Sequence, residues 1–314
     1  MTVASGASAA EGTPEPRARE RRRRRATTPA LPYLLLAPAV IALVAMLGYP
    51  LVRLAIMSVQ DYELPQVFGR PAAWVGLENY RQLLGESYFW TVLWRTIVFC
   101  AINVALTMGL GVLVALLLDA LGAAMRLAVS VSLIIAWAMP ALTATVVWQW
   151  LFDTEYGLFN WIFDRQGQSW LAEPLTFFMV ATIIVVWMGV PFVAFTVYAG
   201  LTQIPHELTE AAMLDGAGFG DRFRYVTLPA IKPILLILVS LSVLWDLRVF
   251  TQIYVLQRAG GVTRDTNLLG VYAYRISIGE NSYDVGAAVA VVMVLITIAL
   301  TVPYLRSMAR QEEL

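Results

Sequence analysis

The sequence holds one cysteine and one histidine in 314 residues. A lone cysteine forms no disulfide within its own chain, and Cys100 stands in an apolar run, where it reads as a small packing residue. His206 has no second ligand-type neighbour at metal spacing, so it reads as a surface histidine and no metal site is expected. Charge is scarce as well. Asp, Glu, Lys and Arg make up 14% of the chain and balance to a formal net charge of zero, so bulk charge implies no nucleic-acid partner. There is no GxxxxGK[ST] phosphate loop, so the chain is not expected to hydrolyse ATP itself. No Ser/His/Asp or Cys/His set is visible either. A membrane enzyme or a signalling receptor would need a catalytic cluster or a large soluble domain, and the sequence shows neither.

What the chain has in quantity is apolar surface: 59% hydrophobic residues and a mean hydropathy of +0.68. Soluble domains rarely exceed about half apolar. A helix needs roughly 20 apolar residues to cross the ~30 Å hydrocarbon core, and six stretches qualify: 31–57, 90–118, 127–151, 175–199, 234–256 and 285–305. The expected fold class is an all-α membrane protein with six transmembrane helices. Pro38, Pro50, Pro140 and Pro191 should kink their helices, which is tolerated where neighbours satisfy the freed backbone groups. Six spans without a strong internal repeat argue against a single-subunit secondary transporter.

Residues 1–28 lack apolar periodicity and are expected to form a disordered basic arm ending in the run Arg21 to Arg25. That run reads as an orientation signal that touches lipid head groups. With the amino terminus inside, thirteen basic residues fall on the inner side and eight on the outer, with Arg248 inside the fifth span. Both termini are then cytoplasmic, and residues 311–314 form a tail. The outer segments 58–89, 152–174 and 257–284 are rich in Trp, Tyr, Gly and Asn. Trp74, Tyr88, Trp90, Trp150, Trp161 and Trp170 read there as membrane-surface anchors, with sugar-stacking platforms as the sharper alternative.

One polar stretch, residues 205–233, separates the fourth and fifth spans. Glu207 to Leu214 reads as a short helix, with Pro205 in its first turn and Glu207 and Glu210 near the positive end of its dipole. Gly216-Ala217-Gly218 should break it, because glycine takes left-handed angles freely. A second short helix is expected from Phe219 to Thr227, with Phe219, Phe223 and Val226 on one side, and Pro229 should stop it.

Glu210-Ala211-Ala212, Asp215-Gly216-Ala217, Phe223, Leu228-Pro229 and Lys232-Pro233 resemble the EAA loop of the membrane-spanning permease subunit in binding-protein-dependent ATP-binding-cassette importers. Leu34-Leu35-Leu36-Ala37-Pro38, Gly48-Tyr49-Pro50, Gly76-Leu77-Glu78-Asn79-Tyr80, Phe250-Thr251-Gln252-Ile253-Tyr254-Val255-Leu256 and Tyr283-Asp284-Val285-Gly286-Ala287-Ala288 resemble segments of its carbohydrate-type, first-permease branch. Relatives in that branch usually carry Thr-Gly-Gly-Gly-Pro where this chain has Gln257-Arg258-Ala259-Gly260-Gly261, a departure that bears on which sugar is carried.

The resemblance implies a type I ABC importer permease fold over residues 29–310, in a bacterial inner (plasma) membrane. It implies a second, unlike permease subunit, two ATPase subunits that use ATP and Mg, and an extracellular solute-binding protein. This chain itself would bind no cofactor. The cargo would be a di- or oligosaccharide; glycerol-3-phosphate, a glycerophosphodiester or a polyamine are the alternatives. Glu210, Ala211, Ala212, Asp215, Gly216, Ala217, Leu228 and Pro229 would form the ATPase-coupling loop. The three alanines would allow close approach, Gly216 would set the bend, and Glu210 and Asp215 could cap helix ends or pair with basic residues of the ATPase. Sugar contacts would come from the fourth and fifth spans, at Gly189, Phe192, Ser242, Trp245 and Asp246. Asp246 is an ionisable residue within a span and so a functional candidate by default; pairing with a neighbouring helix for assembly is the alternative.

Overall fold

The computed structural model describes residues 30–312, so the basic arm 1–28 lies outside the described residues. The chain divides into two compact units, 1–53 and 54–314. The first carries α1 (Ala30–Leu43), a π-helical turn Val44–Gly48 and most of α2 (Tyr49–Met57). No residue from Tyr33 to Met57 is buried, although this helix is among the most apolar in the chain.

In the second unit, a short hairpin of β1 (Gln60–Asp61) and β2 (Ala73–Trp74) brackets α3 (Leu64–Val67), pairing Gln60 with Trp74 and Asp61 with Ala73. α4 (Glu78–Gly85) then leads into α5 (Ser87–Ala120). The Gly-Leu-Glu-Asn-Tyr segment has a local job here. Gly76 turns the chain with φ +63°, and the buried Asn79 amide donates to the carbonyls of Ser58 (3.1 Å) and Gln60 (2.9 Å). Buried carbonyls need such donors, and asparagine supplies two N–H groups.

The stretch expected as a single third span is broken. α6 (Ala123–Ala138) and α7 (Ala141–Leu151) meet at 103°, with Pro140 at the corner. Proline has no N–H to donate and pushes the preceding residue out of the helical region. Met139 sits accordingly at ψ 128°. Among the described residues there are thus five long apolar helices, or six if this bent pair counts as one span.

After α8 (Leu158–Ile162), α9 (Pro174–Leu201) runs through Pro191 without a break. α5 and α9 form the centre of the unit. A Cβ at Gly111 would collide with the side chain of Val193, and one at Gly189 would meet Thr107 Cγ2 at 2.9 Å. Lipid tails give helices no hydrophobic reason to associate, so close approach at small residues does the holding. Next come α10 (His206–Leu214), α11 (Phe219–Arg222), a π-helical turn Phe223–Thr227, and α12 (Leu228–Asp246). α13 (Thr251–Arg258), α14 (Thr263–Thr266) and α15 (Leu269–Tyr274) follow, then the π-helical turn Arg275–Gly279 and α16 (Tyr283–Glu312).

Clusters of buried side chains mark the two ends of the bundle. One end joins Ala115, Val197, Leu201 and Ile231 near the elbow. The opposite end joins Phe152, Trp170, Phe177, Ile253 and Leu268. Trp170 is therefore a core residue rather than a surface anchor. Its indole N–H donates to Asn160 Oδ1, and Arg165 lies 4.6 Å from its ring centroid. Trp74, Trp90, Trp150 and Trp161 are exposed.

Candidate functional site

Two places gather the residues singled out in the sequence. The first is the elbow. Pro205 and Asp215 cap α10 at its two ends, after which Gly216 takes φ +83°. The Ala217 N–H donates to the Ala212 carbonyl (2.9 Å) and the Gly216 N–H to the Met213 carbonyl (3.0 Å). This is the Schellman closure of a helix end, which wants a residue without a Cβ penalty at the left-handed position. The glycine reading of the bend therefore holds at Gly216.

Two details of the elbow differ from expectation. Pro229 does not stop the second helix, because the chain passes from α11 through the π turn Phe223–Thr227 into α12 with Thr227 and Leu228 both helical. A proline ring clashes with the carbonyl four residues back, and widening the preceding turn to a π-helix relieves that clash. Pro229 thus sits directly after the π turn, in the opening turn of α12. Pro50 follows the π turn Val44–Gly48 in the same manner. In addition, neither Glu210 nor Asp215 makes a side-chain cap: α10 has no side-chain cap bond, and Asp215 closes the helix only through its backbone.

What α10 does present is surface. None of its residues is buried, and Leu208, Met213 and Leu214 are exposed, Leu214 at 89%. Phe219 at the start of α11 is exposed too, as are Glu207, Glu210, Asp215 and Asp221. Ala212 and Ala217 are half-buried at the bend, while Ala211, Leu228 and Pro229 are exposed. A short two-helix bracket that exposes apolar and acidic side chains around its circumference is suited to insertion in a groove that surrounds it.

The second place is a cavity of 510 Å³ at the far end of α12. Its walls include Trp137 from α6, Met188 and Gly189 from α9, Trp245 and Asp246 from α12, and Arg248, Phe250 and Gln252 beyond it. The helix ends at Asp246, so the fifth span is interrupted over Leu247–Phe250 before α13 begins. That break brings Arg248 to the same cavity as Asp246, although two residues apart in an unbroken helix would face different ways. Asp246 is 8% exposed and its Oδ2 has no hydrogen-bond partner. A buried acceptor left unpaired is destabilising unless a ligand or water supplies the donor.

The five residues expected to contact solute sort as follows. Gly189, Trp245 and Asp246 line the cavity. Phe192 lies behind it, its ring 5.1 Å from Trp245 and stacked at 20° to Trp137. Ser242 is buried one turn below Asp246 and is not in the wall. Gly189 also serves packing, through its approach to Thr107. The sequence reading missed Trp137, Met188 and Gln252. Of these, Gln252 lies in a segment that carries the resemblance, whereas Trp137 and Met188 stand in ordinary apolar spans. Among the described residues no group of three His, Cys, Asp or Glu side chains is placed to hold a metal ion.

Long apolar helices carrying an exposed two-helix bracket define a multi-pass membrane transport subunit. Residues 107–312 match the family described as binding-protein-dependent transport system inner membrane component, and the chain belongs to that family. It is similar to the diacetylchitobiose uptake system permease protein DasB of Streptomyces coelicolor, at 44% identity covering 90% of this chain and 88% of DasB. The sulfoquinovosyl glycerol transport system permease protein SmoG of Agrobacterium fabrum is 34% identical, covering 88% of this chain and 89% of SmoG. The trehalose/maltose transport system permease protein MalF of Thermococcus litoralis is 35% identical, covering 74% and 79% respectively. Among solved structures, a chain of a bacterial ABC transporter involved in the import of alginate superposes with a TM-score of 0.76 at 20% identity, over 90% of this chain and 95% of that one. This likeness carries the type I importer permease fold.

Proposed function

We propose that this chain is the translocating subunit of an ATP-driven importer for a di- or oligosaccharide. The observation that carries the reading is the cavity: two indoles, an unpaired carboxylate oxygen, a guanidinium and an amide meet in one space. Sugars present apolar faces to stack on rings and hydroxyls to donate to acceptors, and a few placed polar groups in an otherwise apolar pocket give orientation. The uptake systems of DasB and MalF are named for diacetylchitobiose and trehalose/maltose, which agrees with this chemistry. Arg248 in the wall favours a second reading, a sugar with an anionic substituent, and the SmoG system is named for sulfoquinovosyl glycerol.

In this reading the elbow faces the cytoplasm and both termini lie inside. α10 inserts in a groove on a separate ATPase, through Glu210, Ala211, Ala212, Asp215, Gly216 and Ala217, with Leu228 and Pro229 fixing the start of α12. ATPase closure moves the bracket as one body. Because α9 and α12 flank it, the motion opens and closes the cavity at the far end of α12. A second permease subunit completes the pore, and an extracellular binding protein delivers the sugar.

The test is reconstitution of the complete complex, purified with its own partners, in liposomes. Uptake of a radiolabelled di- or trisaccharide that requires both the binding protein and internal ATP is the expected result. Uptake with no ATPase attached, or no uptake of any sugar in a panel covering the names above, would overturn it.

A further inference from the structure

α13 leaves the cavity and runs toward the end of the molecule opposite the elbow. Phe250, Tyr254 and Arg258 recur along it at four-residue spacing, which puts them on one face over about 12 Å at 1.5 Å per residue. Phe250 belongs to the cavity wall. Its ring lies 5.4 Å from that of Tyr254 at 14°, nearly parallel. Tyr274, from the last turn of α15, sets its edge against both, at 5.4 Å and 74° to Phe250 and at 5.5 Å and 81° to Tyr254. At the outer end the Arg258 guanidinium lies 5.8 Å from the Tyr254 ring centroid and Nη1 donates to the Tyr254 hydroxyl at 3.4 Å.

This group differs from the aromatic packing elsewhere in the same unit. Phe89 and Phe177 are fully buried, as rings that serve only to fill a core should be. Phe250 and Tyr254 are only half-buried and Tyr274 is 39% exposed. One side of the group is packed against the core and the other is open. The exposed parts of the three rings, two phenol hydroxyls and a guanidinium lie on the open side, which meets the cavity at Phe250. Ring faces stack on the C–H face of a pyranose, while the hydroxyls and guanidinium reach its edge.

We propose that Phe250, Tyr254, Tyr274 and Arg258 form a second sugar subsite, through which a pyranose ring passes between the delivering protein and the cavity. The inference rests on the sugar reading above. It assigns to α13 and α15 a role in substrate contact that neither the elbow nor the cavity requires.

The experiment uses the complete complex in liposomes, with trehalose, maltotriose and diacetylchitobiose as probes and the sugar-loaded binding protein at saturation. Tyr254→Leu and Tyr274→Leu should each slow uptake about five- to tenfold, the worth of a lost ring contact. Tyr254→Phe and Tyr274→Phe, which keep the ring, should stay within about twofold. Tyr156→Leu, an equally drastic change at an exposed ring away from the track, should leave uptake unchanged. Assembly is checked by co-purification of all subunits. Should a leucine variant not assemble, Tyr274→Cys reads the same question, because the native Cys100 is buried. Sugar-loaded binding protein should slow its reaction with a maleimide at least about threefold. Wild-type uptake by the leucine variants, loss in the phenylalanine variants equal to that in leucine, or no protection of the cysteine would each overturn the subsite while leaving the sugar reading intact. If the wild-type complex carries none of these probes and no other sugar in the panel above, the sugar reading fails and the subsite falls with it.

Discussion

The elbow and the cavity sit at opposite ends of α12, and they are built on opposite principles. The elbow is a local structure: a nine-residue helix, a left-handed glycine and a π turn, all within 25 residues and with no residue buried. The cavity is a meeting of α6, α9, α12 and α13, and its key carboxylate is buried. A surface that must be recognised by another protein can be written in contiguous sequence, because its shape depends on neighbours along the chain. A pocket for a small solute is assembled by tertiary packing, so its residues are scattered.

That contrast can be broken or sharpened by mutation. The largest effect is expected at the contact that holds the helical unit together, the α5–α9 crossing. Gly111→Leu forces a side chain into Val193, and overpacking of this kind destabilises by about 1–3 kcal/mol or more. The variant should fail to assemble, as read by co-purification with its partners, and normal assembly would show that the two helices separate easily. Next is Asp246→Asn, which removes the charge while nearly keeping the shape. If Asp246 accepts from solute hydroxyls, uptake should fall about ten- to hundredfold, the worth of hydrogen bonds to a charged group, with assembly intact. Unchanged uptake would give the carboxylate a role in helix pairing instead.

Gly216→Leu acts at the elbow alone. There is open space around the position, so the effect comes from the backbone: a side chain at φ +83° costs about 1–2 kcal/mol. The expected signature is ATP hydrolysis uncoupled from uptake, with insertion normal; full transport would remove the bend from the mechanism. The smallest effect is expected at Trp170→Phe, which loses the hydrogen bond to Asn160 and should lower thermal stability by about 1 kcal/mol without touching either region. A larger loss, or a defect in uptake, would tie the 152–173 loop to the cavity.

The same contrast explains what could be read in advance. Long apolar runs announced the helices, and Gly216 announced its turn, since each signal is local. Pro140 predicts a kink but not its size, and the corner reaches 103°. Pro229 was read as a stop because a proline rule considers only the standard helix, and the π turn before it offers another solution. Trp170 looked like a surface anchor by composition, but the Asn160 that binds its indole lies ten residues away across a folded loop. Arg248 was placed inside a span because nothing in the sequence marks the break at Leu247–Phe250. Trp137 and Met188 carried no signal, since aromatic and sulfur side chains in an apolar span are the ordinary filling of such a span.

In this reading the exposed helix α10 is the surface on which a separate ATPase docks inside the cell. A single reactive cysteine tests it directly. Leu214 is 89% exposed, and the native Cys100 is buried. With Leu214→Cys, a membrane-impermeant maleimide should label inside-out vesicles and leave intact spheroplasts unlabelled, and bound ATPase should block the labelling. Labelling of intact spheroplasts, or labelling that bound ATPase leaves unchanged, would contradict the account.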